Sequence, residues 1–190
     1  IFRSEYDDKQ ESILIPVDLS NVATVVRNAS SLEMTGLELE VQYQLTEAWD
    51  VMATYGYLKS EYDDYIADLS GDGVITDNSD LVPRNTPENT FGLTTSYTAR
   101  VGNGDLKARI SYRFRDSMES ESQNNPLGSL DSIHNVNANI NYSINNYGIS
   151  VWGRNITDER EQRWSTIGGL TSRGWWNEPA TYGVTLSASF

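Results

Sequence analysis

Four side chains able to grip a flat ligand crowd into one short stretch, Trp164, Arg173, Trp175 and Trp176, followed by Asn177 and Glu178. Indole faces beside a guanidinium suit stacking on a sugar or an aromatic siderophore. The same residues also suit packing between loops or seating at a membrane interface. Catalytic chemistry has less to work with. His134 is the only histidine, cysteine is absent, and no serine sits in a G-x-S-x-G context. Ser132 and Asn135 lie near His134, but both are ordinary residues for a polar strand face, so we expect no enzyme. Asn155-Ile156-Thr157 spells a glycosylation acceptor, a motif with force only in a glycosylating secretory route.

A second candidate is the acidic stretch from Asp68 to Asp80. It resembles the calcium loop of EF-hands and dockerins, D-x-[DNS]-x-D-G-x-I. Oxygens at alternating positions wrap a hard cation, and glycine permits the sharp turn between them. The resemblance implies side-chain ligands from Asp68, Ser70 and Asp72 and a carbonyl from Val74. The usual closing acid at the twelfth position is Ser79, and Asp80 falls one residue late. A solvated acidic loop accounts for the same residues.

These segments hang between stretches with a two-residue period. Tyr182, Val184, Leu186, Ala188 and Phe190 alternate with Thr181, Gly183, Thr185, Ser187 and Ser189. Leu37 to Leu45, Phe91 to Val101, Leu106 to Phe114 and Val136 to Ile144 repeat the pattern. A helix would scatter such residues around its circumference, whereas a strand sets them on one face. Met52, Leu58, Trp152 and Ile156 fall out of phase. The fold expected is all-β, with eight strands over 1–15, 22–45, 48–66, 88–101, 105–119, 131–143, 147–161 and 179–190. Thr46-Glu47, Gly102-Asn103-Gly104 and Asn145-Asn146 are short turns, and 67–87, 120–130 and 162–178 are long polar connections. Alternate short and long connections, with one apolar face, suit an outer-membrane barrel with short periplasmic turns and long external loops. Tyr43, Trp49, Tyr97, Tyr142 and Tyr147 gather near the short turns, as an interfacial girdle would.

Composition narrows the partners. The 190 residues carry 27 acidic and 14 basic side chains, a net charge of −13 that argues against nucleic acid. No apolar run is long enough for a membrane helix, which a barrel does not need. The chain opens on Ile1-Phe2-Arg3 with no signal peptide, so an upstream part is expected.

With the strands placed, a family resemblance follows. Gly36-Leu37-Glu38-Leu39-Glu40, Tyr55-Gly56-Tyr57, Glu61-Tyr62-Asp63-Asp64-Tyr65 and Pro83-Arg84-Asn85-Thr86-Pro87-Glu88 occur in order along the chain. Gly153-Arg154-Asn155-Ile156-Thr157-Asp158-Glu159 and the ending from Glu178 to Phe190 complete the set. Together they resemble the C-terminal part of the barrel of a TonB-dependent outer-membrane receptor. The resemblance implies a larger, twenty-two-stranded antiparallel barrel around an N-terminal plug, of which this chain supplies the last eight strands. It implies TonB as a partner through the missing part, an imported solute, outer-membrane lipid, and an assembly machinery that reads Phe190. It places the chain in the outer membrane of a Gram-negative bacterium. Glu38, Glu40, Lys107, Arg109, Arg113 and Arg115 would then face the lumen, either touching the plug or lining a watery wall. A self-contained eight-stranded membrane barrel and a soluble calcium-binding β-sandwich adhesin are the rival readings.

Overall fold

The computed structural model describes residues 1–17, 22–168 and 171–190, and no helix occurs among them. Eight strands form one antiparallel meander: β1 (Phe2–Pro16), β2 (Val22–Thr46), β3 (Trp49–Ala67), β5 (Asn89–Val101), β6 (Gly104–Arg115), β9 (Ile133–Ile144), β10 (Tyr147–Arg154) and β13 (Thr181–Ala188). The remaining strands belong to the long connections: β4 (Thr76–Asp77), β7 (Met118–Glu119), β8 (Ser129–Leu130), β11 (Gln162–Gly168) and β12 (Thr171–Trp176). Each strand of the meander pairs with its sequence neighbour, and β1 and β13 are the two edges. The sheet is therefore open, which removes the self-contained eight-stranded barrel.

The register shows that the alternation in the sequence is a property of the whole sheet. Directly opposed residues share a face. One cross-strand row runs Trp49, Tyr97, Ala108, Ile140, Val151 and Val184. The neighbouring row on the other face runs Gln44, Asp50, Ser96, Arg109, Asn139, Trp152 and Gly183. The out-of-phase Trp152 thus stays on the polar face, where its indole packs against Gly183. A Cβ at Gly183 would sit 2.3 Å from Trp152 Cζ2, so a larger residue there must displace the indole. Short turns hold the register at one end of the sheet. Gly102 and Asn145 take positive φ, as tight hairpins need, while the first turn is Glu47-Ala48, one residue later than expected.

Three segments depart most from the sequence expectation. β6 stops at Arg115 rather than 119, because the Asp116 carboxylate accepts hydrogen bonds from the Asn89 backbone and side chain and turns the chain away. β10 stops at Arg154 rather than 161, because Asn155 adopts φ 48° and donates its amide to the Asn137 side chain at 2.9 Å. The segment 162–178 is a β-hairpin, β11–β12, rather than a plain loop.

Burial divides the molecule into two zones. Along the lower sheet the apolar face is open, with Val184 63% and Leu186 76% exposed. β1 pairs only with the upper part of β2, from Phe2 opposite Gly36 to Pro16 opposite Val22. There, above the apolar band, lies the buried core: Ile13, Leu32, Tyr62, Tyr65 and Ala67, flanked by Ile15, Met34, Leu69 and Leu81.

Candidate ligand-binding cavity

The long connections fold inward at the end opposite the short turns and lock together. Glu11 on β1 is fully buried yet saturated with partners. It accepts hydrogen bonds from Lys9, from Tyr62 Oη at 3.0 Å and from Ser122 Oγ at 2.6 Å, with Arg84 Nε 3.5 Å away. Burial pushes its pKa up, but the bonds from Lys9, Ser122 and Tyr62 and the Lys9 charge together hold it below the ordinary carboxylate range. Burial and the nearby Glu11 charge raise Tyr65 to about 12 and raise Tyr62 as well. The Ser120–Leu130 segment continues the chain of bonds. Ser120 Oγ donates to the Ser165 carbonyl at 2.8 Å, and Ser165 Oγ donates to the Leu127 carbonyl at 3.0 Å. The result is a roof that runs from β1, through the 120s segment, to the β11–β12 hairpin.

Asparagines fasten the hairpin to the sheet. Asn155 Nδ2 donates to the Glu159 and Glu178 carbonyls at 3.0 and 3.1 Å, and its Oδ1 accepts the Glu159 amide at 3.0 Å. Asn177 accepts the Glu161 amide at 3.0 Å and donates to the Glu159 carbonyl at 2.9 Å. Asp158 accepts the Ala180 amide at 2.9 Å.

Between the base of the β11–β12 hairpin and the polar face of the sheet is a cavity of ≈ 1120 Å³. Arg113, Arg115, Arg154, Arg163, Glu161 and Trp176 carry its chemistry. Glu161 is almost buried, with Oε2 3.5 Å from Arg113 and 3.7 Å from Arg163. Arg115 donates one nitrogen to the Asp131 carbonyl at 3.2 Å, while Nη1 is buried without a hydrogen-bond partner. The Arg154 guanidinium lies 5.3 Å over the Trp152 ring.

The residues singled out in the sequence separate by position. Arg113 and Arg115 enter the cavity, and Arg109 lines a smaller one of ≈ 350 Å³ beside Trp152. Lys107 lies on the same face opposite Thr98 and Asn141, and Glu38 and Glu40 lie there opposite Gly56 and Thr54. The ligand set splits. Trp176 lines the cavity, whereas Trp164 and Trp175 pair on the exposed hairpin face, rings 5.6 Å apart, with Arg173 two residues along. Arg154, Arg163 and Glu161 were missed. Arg154 had a signal, since it continues the parity of Trp152, but Glu161 and Arg163 reach the cavity only through the fold of the hairpin. His134 lies on the apolar face, its Nδ1 2.8 Å from Tyr112 Oη, opposite Phe114 and on the far side of the sheet from the cavity.

In the acidic loop, Asp68 accepts the Gly71 amide at 2.7 Å and the Gly73 amide at 2.9 Å, with Ser70 Oγ at 3.3 Å. Desolvation pushes its pKa up, but the Gly73, Gly71 and Ser70 hydrogen bonds outweigh it and hold the carboxyl below its usual range. Asp72 accepts the Val74 amide at 2.8 Å, and Asp77 is tied to Ser79. No group of three acidic or histidine side chains able to hold a metal ion occurs among the described residues.

Comparison with known proteins agrees with this architecture. A family model described as "TonB dependent receptor-like, beta-barrel" matches residues 1–156. Among solved structures, the ferric yersiniabactin uptake receptor FyuA from Yersinia pestis superimposes with TM-score 0.70 at 17% identity, over 87% of this chain and 25% of that one. The siderophore receptor PiuA from Acinetobacter baumannii gives 0.68 at 20% identity, over 98% of this chain and 25% of that one. The ferric-catecholate import receptor Fiu from K12 E. coli gives 0.66 at 21% identity, over 99% and 24%. The chain thus spans about a quarter of the length of the structures it matches, and at such identities the likeness is one of fold. With its meander, open edges and single apolar face, the chain belongs to the TonB-dependent receptor β-barrel family.

Proposed function

We propose that this chain is the C-terminal part of the barrel wall of an outer-membrane receptor of a Gram-negative bacterium, and that the receptor imports a scarce solute. The observation that carries the reading is the roofed cavity on the polar face, at the end of the sheet opposite the short turns. Solute enters from the long-connection side and rests on Arg113, Arg115, Arg154 and Trp176 beneath the hairpin. The exposed Trp164, Trp175 and Arg173 meet it first. The remaining strands pair with the free edges of β1 and β13, and an N-terminal plug fills the lumen and is pulled by TonB. Glu38, Glu40, Lys107 and Arg109, lower on the same face, contact that plug. Phe190, just beyond β13, serves as the signal for the assembly machinery. Lipid covers the apolar face, where residues such as Val151 and Leu186 otherwise meet water. Calcium has a minor place in this proposal, as a weakly held ion on the Asp68–Asp80 loop.

Transport by the full-length receptor tests the reading. Cells with and without TonB are given iron complexed by catecholate, hydroxamate and carboxylate siderophores, and accumulated iron is counted. The expected result is receptor-dependent uptake that disappears without TonB. Equal uptake in both strains would refute energy-coupled import.

A further inference from the structure

The chemistry lining the cavity points to one class of solute, and the argument rests on the receptor reading above. We propose that the cavity selects a polyanion, a solute carrying several carboxylate-like oxyanion groups. Charge is the first reason. Four arginines line the cavity against two carboxylates, Glu161 and Glu178, a net of +2 by 4 − 2, in a chain whose net charge is −13. Fourteen basic residues serve the entire chain, so four around one cavity is a concentration.

Geometry is the second reason. A guanidinium that has found its carboxylate sits at ~2.7–2.9 Å, commonly through two parallel bonds. Arg113 and Arg163 stand 3.5 and 3.7 Å from the single Glu161 oxygen they share, and that oxygen has no hydrogen bond. Glu161 orients two guanidinium forks without satisfying either. Arg115 Nη1 is buried and unpartnered, and a buried charged donor left in that state is costly. Arg154 is steadied over Trp152 with its donors free of any carboxylate contact among the described residues. An oxyanion placed among these four would complete bonds that no described residue of this chain completes. Trp176 adds a flat wall for the solute's carbon skeleton. A neutral sugar would leave the guanidinium groups unmatched.

Tricarballylate, inorganic phosphate and maltotriose are the probes, titrated by tryptophan fluorescence against purified full-length receptor at low ionic strength. Heat-modifiable mobility in gels verifies that every variant is a folded barrel. Tricarballylate is expected to bind, and Arg115→Gln and Arg154→Gln should each weaken it by about tenfold or more, the loss of one charge-assisted hydrogen bond. Lys59→Gln, at an exposed ion pair with Glu61 away from the cavity, should leave it unchanged. Tighter binding of phosphate than of tricarballylate, with the same arginine dependence, supports the oxyanion site and assigns its source as phosphate. Three outcomes overturn the proposal: neither anion binds, as when a plug carboxylate already occupies the arginines; Lys59→Gln weakens binding as much as Arg115→Gln; or maltotriose binds more tightly than both anions. Failure here with TonB-dependent uptake intact removes only the solute class. Anion binding with uptake independent of TonB removes only the import reading.

Discussion

Glu11→Ala should open the roof while leaving the sheet in place. Both carboxylate oxygens are in use, through Lys9 and Tyr62 on Oε1 and Ser122 on Oε2, and the side chain is fully buried. Removing one member of a buried ion pair costs ~3–5 kcal/mol, because the partners lose their compensation. Lys9 keeps 27% side-chain exposure and can rehydrate, which moves the cost to the low end, about 3 kcal/mol. At ~1.4 kcal/mol per decade, local opening becomes about 100-fold more frequent. Hydrogen–deuterium exchange of the full-length receptor reads this directly, as faster exchange in 67–87 and 116–130 and no change in 134–144. Lys59→Ala is the control, since the Lys59–Glu61 pair is exposed and such pairs contribute at most ~1 kcal/mol. Unchanged exchange in the two roof segments, or uniform acceleration through the sheet, would refute the clamp. Acid gives a second reading of the same group. Its folded pKa lies below the ordinary 4.5, so its stabilisation is complete above that value and is lost as pH falls through the folded pKa. Roof protection, corrected for the pH dependence of intrinsic amide exchange, should fall in acid below ~4.5 and remain flat between neutral and mildly alkaline pH.

Gly183→Val forces a Cβ against the Trp152 indole and should destabilise the barrel by ~1–3 kcal/mol, read as a lower midpoint of heat modifiability, with Trp152→Ala restoring part of the loss. Cysteines labelled at Leu93, Tyr97, Ile110, Ala138 and Ile140 should be quenched from lipid, whereas those at Thr94, Ser96, Arg109 and Asn139 should not; equal quenching would contradict the face assignment. Calcium titrated onto the Asp68–Asp80 loop should bind no more tightly than the ~10⁻⁴–10⁻³ M range of extracellular modules, because both Asp68 oxygens already accept backbone amides. Micromolar affinity would show that Asp80 closes a true coordination shell.

The strands were legible because lipid imposes the same demand on every one of them, an apolar residue at each second position. That demand is local, so Val136 to Ile144 declared its faces without knowledge of its neighbours. Trp152 broke the pattern for a cause that is not local, since it sits on the polar face where Gly183, on another strand, leaves room for it. The cavity was half legible. Arg113 and Arg115 follow strand parity, but Glu161, Arg163 and Trp176 arrive from a hairpin whose placement depends on Asn155, Asn177 and Ser165 bonding to distant backbone. The Glu11 clamp was invisible for the same reason. Its partners Tyr62, Arg84 and Ser122 lie far along the chain, and nothing in a polar stretch such as Glu11-Ser12 announces burial.

β2 has 25 residues, whereas a tilted strand crosses a bilayer in ~9–11. About 15 residues are left over, ~50 Å of strand standing clear of the lipid. The buried core around Tyr65 belongs to that tower and owes nothing to the bilayer. Such a protein answers to two solvents independently. Detergent, membrane thickness and lipid composition act on the lower rows, while acidity and ionic strength act on the tower. The buried core and the Glu11 bonds of the tower should therefore survive extraction into micelles that loosen the wall beneath them.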